Sequence, residues 1–386
     1  MIELLFLLLP VAAVYGYYMG RASLRSKQLK SKNFKNSKYL QGVEYLLSHD
    51  QEKAADKFID YLKLTAPSFE SGLALGNLLR QRGEIDKAID LHEKMISGQN
   101  LDESEHELAQ QELARDFMHA GLFDRAEDIL MQLIEIPRQR HTSAELLLKL
   151  CEREHDYESA LKLYDKYRDA FDDRIKPVIA EYYCEIASSC LTRGDEEQSE
   201  SLLKKALAVN PSSNRPRFAL AELYLRRGFS QEASLQIKAA AEQDPRSGLL
   251  CLDYLKKCYQ NQNVPGYRKA LEDLVKRSGS AEVAAELVRI VEREQGSEAA
   301  QSLLLGFLKE KSSLKLFSAF VELHSHDQST SAEVMMQLKS LFDAQIAVTP
   351  RYVCRKCGFE SSFMFWQCPS CRSWETLKPK SGIDGD

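Results

Sequence analysis

Residues 187–211 read ASSCLTRGDEEQSESLLKKALAVNP, and residues 221–245 read AELYLRRGFSQEASLQIKAAAEQDP. Laid over each other, they place Ala187 on Ala221, Gly194 on Gly228, Ser199 on Ala233, Ala206 on Ala240 and Pro211 on Pro245. The step from Gly194 to Gly228, and from Pro211 to Pro245, is 34 residues. Small residues recur where two helices would have to cross closely. Glycine marks the turn between them, and proline ends the second.

The same period extends outward. Leu75-Gly76…Leu79…Gly83…Asp86…Ala88 precedes Ala114…Phe117…Gly121…Asp124…Ala126. An earlier unit shows Gly42…Tyr45…Ala54…Phe58, with Ala54 to Ala88 again 34 residues apart. This is the tetratricopeptide signature, two antiparallel helices per repeat stacked into a solenoid. A larger side chain at Ala88 or Ala126 would push paired helices apart. Spacings of 38 (Ala88 to Ala126) and 39 (Ala160 to Ser199) predict extra residues in two turns. The array is expected over residues 37–345 as six clear repeats. It grows degenerate after residue 246, where helical periodicity persists, as in Leu303-Leu304-x2-Phe307-Leu308. Polar residues on first helices, such as Asn77 and Arg80, read as solvated face.

At the N-terminus, Ile2 to Gly20 is apolar with Glu3 as its lone charge. Nineteen helical residues reach roughly 28 Å, enough to cross a hydrocarbon core. No lysine or arginine precedes the run, as a cleaved signal peptide would require. Instead Arg21, Arg25, Lys27, Lys30, Lys32, Lys35 and Lys38 follow it. Residues 1–20 are thus expected to form a transmembrane anchor and 21–36 a basic juxtamembrane linker, with everything downstream in the cytosol.

The chain closes with Cys354-x2-Cys357-x10-Cys368-x2-Cys371. Thiolates two residues apart on a tight turn can face one ion, and two such pairs complete a tetrahedral cage. Gly358 follows the first knuckle, and Pro369 lies within the second. Two disulfides in a secreted module would be the competing arrangement. Nine thiols in one chain fit a reducing compartment better. The scattered Cys151, Cys184, Cys190, Cys251 and Cys258 read as small hydrophobes. Four thiolates leave no open coordination position, so the cage holds structure with zinc, or could carry electrons with iron. A module this small lacks apolar area of its own. Tyr352, Phe359, Phe363, Phe365, Trp366 and Trp374 are expected to supply its core and to dock it on the last repeat helix or on a partner.

Enzyme chemistry finds no support. There is no phosphate loop and no dinucleotide fingerprint. His92-Glu93 lacks the second histidine of a metalloprotease helix, Ser312-x2-Lys315 has no companion motif, and His324 and His326 face different ways. A net charge of −5 offers no basic field for nucleic acid.

Three features stand together: the E-L-L-F-L-L-L-P-V-A-A anchor, the repeat array, and the tail Tyr352-x-Cys-x2-Cys-Gly-Phe…Trp366-x-Cys-Pro-x-Cys-Arg372-x-Trp374. Over essentially its whole length the chain resembles the lipopolysaccharide assembly protein B family of Gram-negative bacteria. That resemblance implies an all-α solenoid after one anchor helix, a rubredoxin-like metal domain at residues 350–378, and a tail at 379–386. By motif it implies Cys354, Cys357, Cys368 and Cys371 as ligands of one ion, iron in the family. It further implies a non-enzymatic inner-membrane adaptor, most of it on the cytoplasmic side, which regulates lipopolysaccharide synthesis. Its implied partners are the membrane-bound ATP-dependent zinc protease, the lipid A pathway deacetylase that it brings there for degradation, and lipopolysaccharide synthesis and transport proteins. Two rival expectations are an electron-transfer protein using the same cage with iron, and a generic chaperone-docking scaffold. The second would need a lysine and arginine clamp that is not evident.

Overall fold

The computed structural model describes residues 69–98, 101–259, 264–324, 330–383 and 385, with 40, 41, 44, 45, 53, 56, 57 and 60. The expected anchor, the basic linker and most of the first repeat fall outside these residues. Among the described residues no helix is long and apolar enough to cross a membrane. Among the described residues, eight pairs of α-helices run from Phe69–Gln81 with Ile85–Ile96 through to Leu314–His324 with Thr330–Val348. A small three-stranded sheet follows.

The repeat positions explain the pairing. Ala88, Ala114, Ala126, Ala206, Ala221, Ala233 and Ala240 are all fully buried, and Ser199 nearly so. At each, a methyl or hydroxymethyl lets the facing backbone approach. The turn glycines are equally constrained: Gly194 and Gly228 adopt φ of 85° and 81°, which a side chain disfavours. Caps fix the helix starts. Asp102 accepts from the Glu105 N–H while Glu105 reaches back to Asp102, a reciprocal box that satisfies two otherwise orphaned donors.

The chain divides into two compact units, Met1–Asp156 with Lys162–Phe171, and Tyr157–Leu161 with Asp172–Asp386. In the first, Leu113, Ala114, Phe117, Leu130, Ile134, Ala144 and Leu147 form the core. The 39-residue spacing resolves locally. Two short 3-10 turns, Arg168–Ala170 and Asp173–Ile175, take up the added residues.

The reading of Arg80 as solvated face is corrected. Its side chain is 11% exposed and pairs with Glu112 and Asp116, each at 2.6 Å. Asp116 also accepts from or shares a proton with His92 Nδ1 at 2.5 Å, and both side chains are fully buried. Asn77 is drawn in as well, its amide oxygen accepting from Arg80. A charge so placed is retained because its neighbours satisfy it. Periodicity marks position on a helix, not the partner that meets it.

In the second unit the core runs from Phe218, Ala221 and Ile237 through Leu252, Leu271 and Val288 to Leu304 and Leu316. Helix pairing therefore continues where the small-residue signature fades. Alanines are still buried there, but large side chains share the contacts, as Val283, Leu287, Val288, Ile290 and Val291 beside Ala281, Ala284 and Ala285 show.

Candidate metal centre

The C-terminal sheet is built from β1 (Tyr352–Cys354), β2 (Glu360–Ser361) and β3 (Leu377–Pro379), in the order β2-β1-β3 with both pairings antiparallel. Cys354 ends β1, so its knuckle begins where the strand stops. The Cys354 N–H donates to the Phe359 carbonyl at 2.8 Å, and the Gly358 N–H donates to the Cys354 carbonyl at 3.0 Å. Gly358 has φ of 77°.

The second knuckle repeats this geometry. The Arg372 N–H donates to the Cys368 carbonyl at 2.8 Å. Arg372 occupies the place of Gly358 and carries the same left-handed backbone, with φ of 53°. Pro369 lies within this knuckle, as read from the sequence, and the left-handed residue is Arg372, one place after Cys371.

These turns bring the four sulfurs of Cys354, Cys357, Cys368 and Cys371 within 4.8 Å of one another. Two cross-knuckle pairs, Cys354 to Cys371 and Cys357 to Cys368, stand at 3.7 Å. A tetrahedron with metal–sulfur bonds of about 2.3 Å has edges close to that value. The donor set and its geometry thus fit one ion. Burial opposes ionisation of Cys354, but the Thr376 hydroxyl and the backbone N–H groups of Cys357 and Lys356 bring its thiol down to about 6. Ser373 likewise lowers Cys371. Burial pushes Cys368 up to about 11. Local donors thus favour ionisation at Cys354 and Cys371, and the thiolate is the form that binds metal.

Within the second unit the cage is seated across a row of first helices. Trp374 meets the Tyr182 ring edge-on at 6.5 Å, and the Arg215 guanidinium lies 5.7 Å from its centre. Trp366 packs on Phe218 at 6.0 Å. Leu249 joins Tyr352, Cys354, Cys368 and Leu377 in one buried cluster. Three polar links reinforce this: the Ser213 hydroxyl donates to Glu375 at 2.6 Å, Lys378 pairs with Asp244 at 2.9 Å, and Arg351 pairs with Glu282 at 2.9 Å. The Leu314 N–H donates to the Ile383 carbonyl at 3.0 Å. The expected docking on the last repeat helix is corrected. The knuckle meets the first helices of four consecutive pairs, from Lys176–Thr192 to Ala281–Gln295, and Ile383 in the tail adds Leu314–His324.

At the centre of this seam lies an unusual charge cluster. Arg215 bridges Glu181 at 2.7 Å and Glu185 at 2.8 Å, with Glu181 only 1% exposed. Burial, added to by the Glu375 carboxylate, pushes Glu181 up to about 8 despite the guanidinium. Sequence reading passed over Glu181, Ser213, Arg215, Asp244 and Glu375. The Arg215-Pro216 step that opens a helix was the one local signal, and it spoke of a helix start, not of a contact.

Of the aromatic residues expected in the knuckle core, Tyr352 is buried, while Phe363 is 74% exposed. Among the lone cysteines, Cys184, Cys190 and Cys251 are buried, and Cys151 and Cys258 half-buried. Burial raises Cys151 and Cys258 to about 11 and Cys251 to about 12, which leaves them inert. Beside the knuckle, a cavity of about 370 Å³ is lined by Lys256, Glu282, Glu286, Arg289, Lys315 and Arg351 among others. Glu282 holds both Lys315 and Arg351, and Glu286 holds Lys256.

Helix-pair solenoid and four-cysteine knuckle together define a tetratricopeptide protein with a rubredoxin-type metal module. Family models agree, matching a rubredoxin metal binding domain at residues 352–379 and a tetratricopeptide repeat at residues 73–107. Lipopolysaccharide assembly protein B of Escherichia coli (strain K12) is 34% identical over 388 residues, covering 100% of both chains. The Haemophilus influenzae protein of that name is 34% identical over 392 residues, covering 99% of each. The chain belongs to the lipopolysaccharide assembly protein B family. Among solved structures, the C-terminal part of a tetratricopeptide-repeat protein from Cytophaga hutchinsonii aligns with a TM-score of 0.38 and 13% identity, over 64% of this chain and 98% of that one.

Proposed function

We propose that this protein is a non-enzymatic adaptor in lipopolysaccharide assembly, held at the inner membrane by residues 1–20 with its bulk in the cytosol. The observation that carries this is the seating of the C-terminal segment, with its closed four-sulfur cage, across five first helices of the solenoid. The cage offers no coordination site for substrate, and its two tryptophans, Trp366 and Trp374, pack on the repeat helices. Iron, which the resemblance implies, or zinc would serve this role equally, since the ion's task is to hold two knuckles at fixed separation.

In this reading the adaptor brings the lipid A pathway deacetylase to the membrane-bound ATP-dependent zinc protease, and coordinates synthesis with transport. Two features support it. A single anchor confines the solenoid to the plane of its membrane partners, raising effective concentration without new contacts. Family membership supports the lipopolysaccharide pathway as the setting.

The test is the deacetylase half-life in cells whose own copy has been replaced. C354S/C357S should lengthen that half-life several-fold, and so should removal of residues 1–20. Normal turnover with both variants, each present at wild-type level, would rule the adaptor reading out.

A further inference from the structure

The last strand brings a hydroxyl to the cage. Cys354 pairs with Leu377 in the antiparallel ladder of β1 and β3, which sets Thr376, the residue before β3, beside the first knuckle. Its backbone is held on both sides. The Arg355 N–H donates to the Thr376 carbonyl at 2.9 Å, and the Glu375 N–H donates to the Trp366 carbonyl at 2.7 Å. A β-branched side chain on a fixed backbone has little freedom at χ1. The half-buried Thr376 hydroxyl therefore stands at a set place, 3.3 Å from the Cys354 sulfur and 3.2 Å from the Ser373 carbonyl oxygen.

That hydroxyl has one proton and two acceptors to give it to. With a thiol at Cys354 both contacts run as a chain, S–H to the Thr376 oxygen and O–H to the Ser373 carbonyl. A metal-binding cysteine is a thiolate, with no proton to give. A hydroxyl that kept to Ser373 would turn its lone pairs on the anionic sulfur. Rotated about its C–O bond, it donates to that sulfur instead, and hydrogen bonds to an ionised acceptor are the stronger kind. The rotation orphans nothing, because the Cys368 N–H already donates to the Ser373 carbonyl at 3.0 Å.

We infer that Thr376 is a positioning residue of the metal site, whose hydroxyl donates to the Cys354 thiolate and sets how tightly the cage holds its ion. The inference rests on the four cysteines being the ligands and holds for zinc or iron alike. Groups that hydrogen-bond a metal's ligands typically carry roughly 10- to 100-fold in affinity.

Zinc affinity of the full-length protein, measured by competition with a chromogenic chelator, tests this. It should fall roughly 10- to 100-fold in T376V and in T376A, and stay near wild type in T376S. Lost packing alone would also weaken binding, so the cobalt(II)-loaded protein supplies a second reading that packing does not move. A hydrogen bond lowers the energy of the sulfur lone pair. The sulfur-to-cobalt charge-transfer band should therefore lie at longer wavelength in T376V than in the wild type, with T376S unshifted. Unchanged zinc affinity in T376V would overturn the inference. So would weaker binding with an unmoved band, because the hydroxyl would then serve only the Ser373 carbonyl, and so would a T376S protein that binds as poorly as T376V. A wild-type chain that takes up no tetrahedral cobalt would overturn it together with the ligand assignment.

Discussion

The guanidinium of Arg215 lies 5.7 Å from the ring centre of Trp374 while it bridges Glu181 and Glu185. One solenoid side chain thus holds the flat face of a knuckle residue and neutralises two acids of the neighbouring helix. Arg215 is 13% exposed and Glu181 1%, so neither side chain has water as a substitute partner.

Replacing Arg215 by methionine keeps the apolar stem but strands Glu181. Removing one partner of a buried pair costs about 3 kcal/mol. R215M should lower the denaturant midpoint accordingly and make the segment around Val348 and Thr349 cleavable by added protease. The double variant R215M/E181Q should recover most of the loss, because no buried acid is then left unpaired. Chemical denaturation of the four proteins of this cycle checks the claim.

Glu181 also sets a pH dependence. Its carboxyl ordinarily titrates near 4.5 and is pushed up to about 8 in the folded chain. The folded state therefore holds a proton that the unfolded state has lost between those values. Stability from this group is present below pH 4.5, declines as pH rises toward 8, and is flat above. Unfolding free energy measured from pH 5 to 9 should fall less steeply in E181Q than in the wild type.

In the first unit, a Cβ on Gly76 would overlap the His92 ring, which is itself fixed by Asp116. G76A should destabilise by about 1–3 kcal/mol through overpacking. The loss should shrink in a G76A/H92A background, since the ring that blocks the methyl is gone. Thermal unfolding of the two glycine variants against their parents decides it.

Removing Trp374 tests the aromatic half of the seam. W374A should cost about 3 kcal/mol, as large-to-small changes at packed sites do. It should leave the metal content of the purified protein unaltered, because Trp374 packs on Tyr182 and Arg215 and is not itself one of the four ligands. Metal analysis beside a melting curve separates the two effects.

How far the sequence carried this picture depends on the kind of force. Ala88, Ala126, Ala221 and Ala240 announce themselves because close helix crossing tolerates only small side chains, and the 34-residue period follows from that steric rule. The cysteine knuckles are equally local: two residues of spacing and one left-handed turn bring two sulfurs together. Contacts far apart in sequence were not legible. Ser213 meets Glu375 across 162 residues, and Lys378 meets Asp244 across 134. Nothing in the periodicity of either segment encodes its partner. Arg80 shows the same limit within one unit, since its acidic partners lie a full repeat away.

The central claim is that the metal cage acts by holding a docking surface against the first helices. Amide hydrogen exchange of the full-length protein, before and after metal is removed by chelation, tests it most directly. The account predicts faster exchange in the knuckle and, alongside it, at the buried starts of Arg215–Arg226 and Gly248–Cys258, with the helices of the first unit unaffected. Loss of metal that frees the knuckle but leaves those two helix starts as protected as before would contradict it.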